Sequence, residues 1–296
     1  MTVRAFAKTL LPRPIRNLLR PCLHYVQRLG WWSFILWQIR GVTWSDEWIL
    51  IRSALTAPFL SFNNLQKWQD PTLLANAQVS VSGIGRFFLR AHCDDLFHVL
   101  PAREPAVLRA IRANLKLGDI FVDAGANIGI YTVAAARLVG DTGRVIAVEM
   151  MPDTAMVLRK HIEMNQLKNV DVVEQALSDK AAKVVVARAP KGRHGQASIA
   201  YEVMQGAREV SVTTTTLATV LVGVERIALM KMDLEGAEEL ALNGAGNALN
   251  RMQSVIFEDL GDARLGRIFN SRGFSVQRLD GNNCLAINLT PVWPLT

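Results

Sequence analysis

Residues 119–136, Gly-Asp-Ile-Phe-Val-Asp-Ala-Gly-Ala-Asn-Ile-Gly-Ile-Tyr-Thr-Val-Ala-Ala, constrain the fold more than any other stretch of the chain. Ile120, Phe121 and Val122 form an apolar run of the length of a buried strand. The run ends on Asp123, and a turn of small residues follows. From Ile128 to Leu138 the apolar spacing becomes helical. Strand, glycine turn and helix in that order open an open α/β sheet, whose ligand lies at the strand ends.

The details of the turn separate two kinds of ligand. A dinucleotide fold uses Gly-x-Gly-x-x-Gly, with its glycines set against a pyrophosphate. Here the spacing is Gly125-x-x-x-Gly129, and Asp123 precedes the first glycine. A carboxylate there repels a pyrophosphate. It suits a ligand that carries an ammonium and a sulfonium, which is S-adenosylmethionine. Gly125 lets the backbone come close to such a ligand. An ordinary strand-to-helix turn is the alternative, and the same register continued downstream argues against it.

After the first helix, Asp141-Thr142-Gly143 is a turn and Arg144 to Glu149 is a second strand. Glu149 falls about twenty residues past the glycine turn, where an acid accepts the ribose hydroxyls of an adenosine. Pro152 and Asp153 open a helix to Asn165, with Asp153 as its cap. The third strand is Val170 to Glu174, and the turn Gln175 to Ser178 lies by position along the adenine. Arg226 to Met232 is a fourth strand, continuously apolar from Ile227 to Met230 as a buried parallel strand is. It delivers Asp233 and Glu235 to the strand-end crevice, and a helix follows from Gly236. Ser254 to Phe257 is a fifth strand ending in Glu258-Asp259. Residues 262–271 read as a helix. Gly273 to Gln277 and Cys284 to Asn288 read as a closing antiparallel pair. Between Asp179 and Thr216 lies an insertion with strand-like pieces at Lys183–Ala187 and Glu209–Thr214, the latter running into a helix from Leu217. Glycines and cations at 191–198 suggest a mobile loop between them.

These residues carry a resemblance. The chain resembles the FkbM-type family of S-adenosylmethionine-dependent methyltransferases over roughly residues 104 to 290. The shared pieces are Val122 to Gly129, the strand ending in Glu149, Asn165, Ala176 to Asp179, Gly195 with Ser198, and Lys231-Met232-Asp233-Leu234-Glu235-Gly236-Ala237-Glu238. Two positions depart from the family pattern: Met150 stands where proline is usual, and His161 where asparagine is usual. The resemblance implies a doubly wound Rossmann-like methyltransferase sheet, mostly parallel with a C-terminal antiparallel strand, and O-methylation of a sugar or polyketide hydroxyl. The cofactor site expected on this register comprises Asp123, Ala124, Gly125, Asn127, Gly129, Glu149, Met150, Ala176, Leu177 and Asp233. Methyl transfer to a hydroxyl needs a group that takes its proton. Asp233 is the first candidate, Glu235 supports it and His194 is a second base. Asp233, Glu258 and Asp259 could hold a divalent cation through hard oxygen ligands. The other reading is that they cap helices and pair with Lys231 or Arg264. A protein that kept the fold and lost catalysis is the competing functional class. A dehydrogenase lacks its glycine signature here.

The charge is unevenly placed. The formal net charge is +7, and Met1 to Ser45 contain Arg4, Lys8, Arg13, Arg16, Arg20, Arg28 and Arg40 with no acid before Asp46. Leu10, Leu11, Ile15, Leu18, Leu19, Leu23 and Val26 recur at helical spacing among these cations. The run Trp31 to Trp37 follows. Cations, tryptophans and a moderate apolar stripe describe a helix lying in a membrane surface. Packing on the main domain or on a second copy in a homo-oligomer is the alternative. Nothing here matches a base-reading motif, so nucleic acid is not expected. No stretch reaches the ~18 apolar residues of a membrane span, and Arg13, Arg16 and Arg20 interrupt any signal-peptide core. Cys22, Cys93 and Cys284 have no metal or redox spacing, which suits a reducing compartment. The expectation is a cytoplasmic protein, peripheral to the membrane, with a small-molecule, sugar or lipid-linked sugar acceptor.

The organisation expected is a basic helical segment at 1–50, a connection with a hairpin at 51–103 and the methyltransferase domain at 104–296. In the connection, Pro58, Asn63-Asn64 and Pro71 mark loops. Gln78 to His92 reads as a hairpin bent near Gly83 and Gly85, and Glu104 to Leu115 as a helix. His92, Asp94, Asp95 and His98 read as surface polar residues beside a loop rather than as metal ligands.

Overall fold

The structure, a computed structural model, describes residues 26, 28–60, 71–202, 205–259, 261 and 263–291. The chain forms two compact units, Met1–Ser82 with Leu89–Leu100, and Gly83–Phe88 with Pro101–Thr296.

In the first unit a helix over 28–38 leads into β1 (Ile39–Gly41), which pairs antiparallel with β2 (Ala77–Val81). The tryptophan-rich run divides between two environments: Trp32 and Ile35 are buried, whereas Phe34 and Trp37 face out and stack on each other at 6.2 Å. The preceding stripe from Leu10 to Leu23 lies outside the described residues. Helix Trp44–Leu60 starts with Asp46, which accepts the Thr43 N–H (3.0 Å) and the Gln78 N–H of β2 (2.9 Å). This helix runs through Pro58, so the loop expected there is corrected. Its last turn tolerates the missing N–H at the cost of one backbone bond. The bend expected at Gly83 lies between β2 and β3 (Gly85–Leu89), and Gly83 has φ +70°. A second correction concerns Asp94, Asp95 and His98, which are buried rather than surface groups. Asp95 accepts the Arg90 backbone N–H and two guanidinium N–H bonds (2.8–2.9 Å), and Asp94 pairs with His98 at 3.1 Å. Burial of these charges is tolerated because each is paired.

The second unit is built on a seven-stranded sheet of order β12-β13-β11-β10-β4-β5-β6. Its strands are β4 (Ile120–Ala124), β5 (Arg144–Val148), β6 (Val170–Val173), β10 (Ile227–Met232), β11 (Met252–Glu258), β12 (Phe274–Arg278) and β13 (Asn283–Asn288). Five neighbouring strands, β11 to the edge strand β6, pair in parallel, and β13 runs antiparallel to both neighbours. This is the expected doubly wound Rossmann-like sheet with its reversed C-terminal strand. Every residue of β10 is buried, because helices cover both faces of a central parallel strand. At β11, Phe257 packs tilted on Phe269 at 4.8 Å, and Phe269 meets Phe274 edge to face at 5.4 Å. The strand order reverses between β4 and β10, so their C-terminal ends open a crevice at a topological switch point.

Three local expectations are adjusted. Helix Pro152–Met164 starts without a side-chain cap, and Asp153 instead pairs with Arg208 and with His194 Nδ1 (3.3 Å). The helix after Gly236 begins at Glu238, because Glu235 (φ +52°) and Gly236 (φ +96°) both leave the right-handed region. The insertion forms its own small sheet: β8 (Val184–Ala189) pairs antiparallel with β9 (Arg208–Thr215), and β7 (Ala176–Leu177) pairs parallel with β9. The strand runs into the expected helix, Leu217–Val220, which Thr216 caps through the Thr219 N–H.

The two departures from the family pattern have different surroundings. Met150 lines the ligand crevice. His161 is fully buried, with Nδ1 2.6 Å from the Ile128 carbonyl and Nε2 2.8 Å from the Phe88 N–H. The Nδ1–H tautomer satisfies both bonds. Asn165, one turn on, accepts the Arg86 N–H (2.9 Å) and donates to its carbonyl (2.7 Å). One helix thus carries the backbone of residues 86–88 as though it were a further strand. His161→Ala removes two backbone partners and opens a void. An unfolding free energy lower by about 2–4 kcal/mol is expected in urea denaturation.

Candidate functional site

The glycine turn is held by its neighbours before any ligand is considered. Gly125 N–H and Ala126 N–H both donate to the Val148 carbonyl at the end of β5 (3.0 and 2.9 Å). Asp233 N–H donates to the Ala124 carbonyl (3.0 Å). Gly125 has φ +84°, and a Cβ there would overlap the Asp233 carbonyl oxygen. No other residue lets β4 and β10 end this close together. Gly129 (φ +89°) closes the turn against Leu158 at the start of helix Ile130–Val139.

A cleft lies at these strand ends. Gly125, Asn127, Glu149, Met150, Ala176 and Leu177 line part of it. Asp233, Glu235 and His194 line the rest. The structure thus gathers on one surface residues that are more than a hundred positions apart in the chain. Ala124 and Gly129 stand behind the wall. Asp123 also lies beneath the turn: it is fully buried, accepts a hydrogen bond from Thr132 Oγ1 (2.6 Å), and sits across the strand pair from Lys231. Burial raises its carboxyl pKa, and the Lys231 charge opposes that rise. The expectation that Asp123 meets a ligand directly is therefore corrected; the acids on the cleft wall are Glu149, Asp233 and Glu235.

Glu149 ties the cleft together. One carboxylate oxygen accepts the Asn127 N–H (2.9 Å) and the other the Met151 N–H (2.8 Å). A carboxylate has about four acceptor sites, so these bonds leave capacity for a diol. Burial pushes Glu149 up to about 7, against the pull of the two N–H donors. Asn127 Oδ1 and Asp123 Oδ1 are buried without a hydrogen-bond partner among the described residues. An orphan acceptor on the wall, an acid for hydroxyls and a position where only glycine fits are what an adenosine ligand with an ammonium group requires.

Asp233 is neutralised from below. Lys231 Nζ lies 2.8 Å from its carboxylate and 4.9 Å from the centre of the Tyr131 ring, and Lys231 is 3% exposed. Desolvation lowers the Lys231 pKa, but Asp233, Glu104 and Asp123 raise it further, so the ammonium stays charged. Tyr131 Oη bonds Glu104. Glu235 is pushed up to about 7 by burial and by Asp233, and it accepts a hydrogen bond from Tyr201 Oη (3.2 Å). Sequence reasoning named Lys231 only as a pairing partner and missed Arg103, Glu104, Tyr131 and Tyr201. A lysine inside the buried run Ile227–Met232 was a usable signal; a tyrosine within a polar insertion was not.

The cation site expected at Asp233, Glu258 and Asp259 is corrected. Among the described residues their oxygens do not gather to coordination distances of one another. Asp233 takes Lys231, Glu258 accepts from Asn282 (3.3 Å), and Asp259 caps the Gly261 and Ala263 N–H groups and pairs with Arg278. Arg264 pairs with Glu239 instead. Of the pairing alternative, the Asp233–Lys231 contact is present, while Glu258 and Asp259 take Asn282 and Arg278 in place of Lys231 or Arg264. The metal-type atoms that do lie within 4.8 Å are those of Cys93, Asp94 and Asp95. They suit an ion poorly, since Arg90 occupies both Asp95 oxygens and burial pushes the Cys93 thiol up to about 12.

The sequence profile described as "Methyltransferase FkbM domain" matches residues 123–273, just over half of the 296 residues. The chain belongs to the methyltransferase FkbM domain family. A protein of Sulfolobus acidocaldarius named "Probable cobalt-precorrin-6B C(15)-methyltransferase (decarboxylating)" is 38% identical over 71 residues, 24% of this chain and 37% of that one. The FkbM-domain chain thus spans about 37% of the length of the curated relatives it matches. Among solved structures it is similar to a precorrin-6Y C5,15-methyltransferase of Geobacter metallireducens (15% identity, 62% of this chain and 88% of that chain, TM-score 0.38). It is likewise similar to an rRNA methylase of Streptococcus thermophilus (13% identity, 63% and 93%, TM-score 0.38). The fold assignment rests on strand order and register.

A carboxyl held near 7 in the fold and ionising near ~4.3 in the unfolded chain keeps an extra proton between those values. Its stabilisation is complete below the lower value and is lost as pH rises through the upper one. Glu149 and Glu235 both have this sign. Urea denaturation of the ligand-free protein is therefore expected to show stability falling from pH 5 to pH 8, with a shallower fall in Glu149→Gln.

Proposed function

We propose that the protein is an S-adenosylmethionine-dependent O-methyltransferase acting on a hydroxyl of an uncharged sugar, glycolipid or polyketide-like acceptor at a membrane surface. The observation that carries this reading is the convergence of Gly125, Asn127, Glu149 and Asp233 on one cleft at the switch point. Family membership supports the reaction class.

When bound, the cofactor supplies an electrophilic methyl on a sulfonium. On this reading Glu149 receives the ribose hydroxyls, and Ala176 and Leu177 give the adenine an apolar seat. Asp233 and the orphan Asn127 Oδ1 accept from the ammonium. Lys231 holds the Asp233 carboxylate in place through their ion pair. Glu235, held near neutrality, takes the acceptor's proton, and a general base is most effective with a pKa near the working pH. His194 is a second base on the same wall, oriented through Asp153.

The acceptor class follows from charge. A second cleft shares Glu235 and is lined also by Glu238, Glu239, Glu258 and Asp259, with Arg264 as its cation. Such a surface disfavours a phosphate backbone and accepts hydroxyls. A membrane-borne acceptor is supported by the first unit, where Trp37, Trp44 and Trp48 are 77%, 84% and 59% exposed after a segment rich in cations. Interfacial tryptophans beside cations are the signature of a helix lying on lipid. No helix among the described residues is long and apolar enough to cross a membrane.

Calorimetry is expected to show binding of S-adenosylhomocysteine and none of NAD; binding of neither would favour the inactive-scaffold reading. Incubation with methyl-labelled donor and a polar lipid extract is expected to label a glycolipid, and Asp233→Asn to lower that rate by about a hundredfold or more. In flotation with anionic vesicles, replacing Trp37, Trp44 and Trp48 together by alanine is expected to cut binding about tenfold.

A further inference from the structure

The segment that follows the 3-10 turn of the insertion brings a tyrosine to the acid that faces the transfer centre. Tyr201 Oη donates to Glu235 Oε2 at 3.2 Å. Neither partner is there by accident of a loose surface. Glu235 has φ +52°, a conformation that costs a non-glycine residue about 1 kcal/mol or more and persists where its surroundings impose it. Gly236 follows at φ +96°, and together the two residues delay the next helix and turn the Glu235 side chain along the cleft wall.

The tyrosine is anchored from the other side. Arg188 and Ser198 exchange both backbone hydrogen bonds (2.8 and 2.9 Å), and Ser198 is fully buried. Ser198 Oγ accepts the Ala200 N–H (3.0 Å). The Arg188 guanidinium donates to the Tyr201 carbonyl (3.0 Å) and is itself held by Glu209 of β9 (2.8 Å). A chain of contacts thus runs from β9 through Arg188 and Tyr201 to Glu235.

Resting on the methyltransferase reading, we propose that Tyr201 is a positioning residue for Glu235, fixing one carboxylate oxygen so that the other accepts the acceptor's hydroxyl proton. In that step the O–H bond breaks and its proton goes to Glu235. The acceptor oxygen forms a bond to the methyl carbon. The sulfur–methyl bond breaks with its electron pair left on sulfur, which becomes a neutral thioether. The Tyr201 hydrogen bond stabilises the ionised carboxylate and so works against burial and against the nearby Asp233 and Glu258; the Arg103 guanidinium works in the same direction as Tyr201. Burial and the Glu235 charge raise the pKa of Tyr201, so it remains a donor throughout.

The test needs no acceptor. A sulfonium is attracted to an ionised Glu235 and a thioether is not, so the affinity ratio of S-adenosylmethionine to S-adenosylhomocysteine reports its ionisation. Calorimetry from pH 5.5 to 8.5 is expected to show that ratio rising with pH in the wild type and nearly flat in Glu235→Gln. In Tyr201→Phe the midpoint moves up by roughly one to two pH units, the worth of one hydrogen bond to a charged group. S-adenosylhomocysteine affinity stays within about twofold, which a collapsed site would not allow. Arg188→Met keeps the hydroxyl but frees its backbone, and a smaller shift of the same sign is expected; it carries the test should Tyr201→Phe fail to fold. An unchanged midpoint in both variants, or a flat ratio in the wild type, overturns the assignment. Failure of the wild type to bind either compound overturns instead the methyltransferase reading on which it stands.

Discussion

The cleft exists because one buried ammonium lies under a group of carboxylates. Lys231 pairs with Asp233 and is close enough to Asp123 and Glu104 for their charges to hold it protonated. Burying any of these groups alone would cost several kcal/mol, and removing one partner of a buried pair typically costs about 3–5 kcal/mol. The arrangement therefore stands or falls together. It also decides direction: the ammonium draws Asp233 down and fixes its carboxylate at the point where β4 and β10 diverge. Tyr131 adds a ring to the ammonium and a hydroxyl to Glu104, so that helix Ile130–Val139 is tied to the same cluster.

Around that cluster the backbone geometry is as demanding as the charge. β4 and β10 come together only because Gly125 has no Cβ, and Glu235, two residues past the Asp233 that Gly125 faces, sits at positive φ. Strain of this kind is expected where a side chain must be aimed rather than merely accommodated. Two acids on the wall are thereby given different tasks. Asp233 has the Lys231 ammonium beside it, whereas Glu235 is pushed up to about 7 by burial and by Asp233, with the Tyr201 hydroxyl and the Arg103 guanidinium opposing that rise. Environments that push paired acids apart in this way separate a binding charge from a proton acceptor.

The first unit obeys a different logic. Its helix over 28–38 buries Trp32 and Ile35 and leaves Phe34 and Trp37 outward, and Trp44 and Trp48 continue the exposure. Apolar surface of this kind is normally covered by something. Asp95 with Arg90 and Asp94 with His98 pair within the same unit.

The sequence by itself determined the frame. The apolar runs at Ile120, Ile146, Ile227 and Ile256 have strand length and nothing else, and each is followed by the turn residue its geometry needs, so local periodicity sufficed to order the parallel strands. Gly125, Glu149 and Asp233 were legible as crevice residues because chain position at the end of a parallel strand fixes location in an open sheet. What only the tertiary structure decided is which side chains face which. Alternation cannot say that Asp123 points beneath the turn and Asp233 into the cleft, since that depends on the pairing register of β4 with β10. Nor can it show that Asp233, Glu258 and Asp259 find separate partners rather than a shared ion, because Lys231, Asn282 and Arg278 reach them across strands. Tyr201 was invisible for the same reason: its partner lies 34 residues away, and only the folding back of the insertion brings them within hydrogen-bond distance.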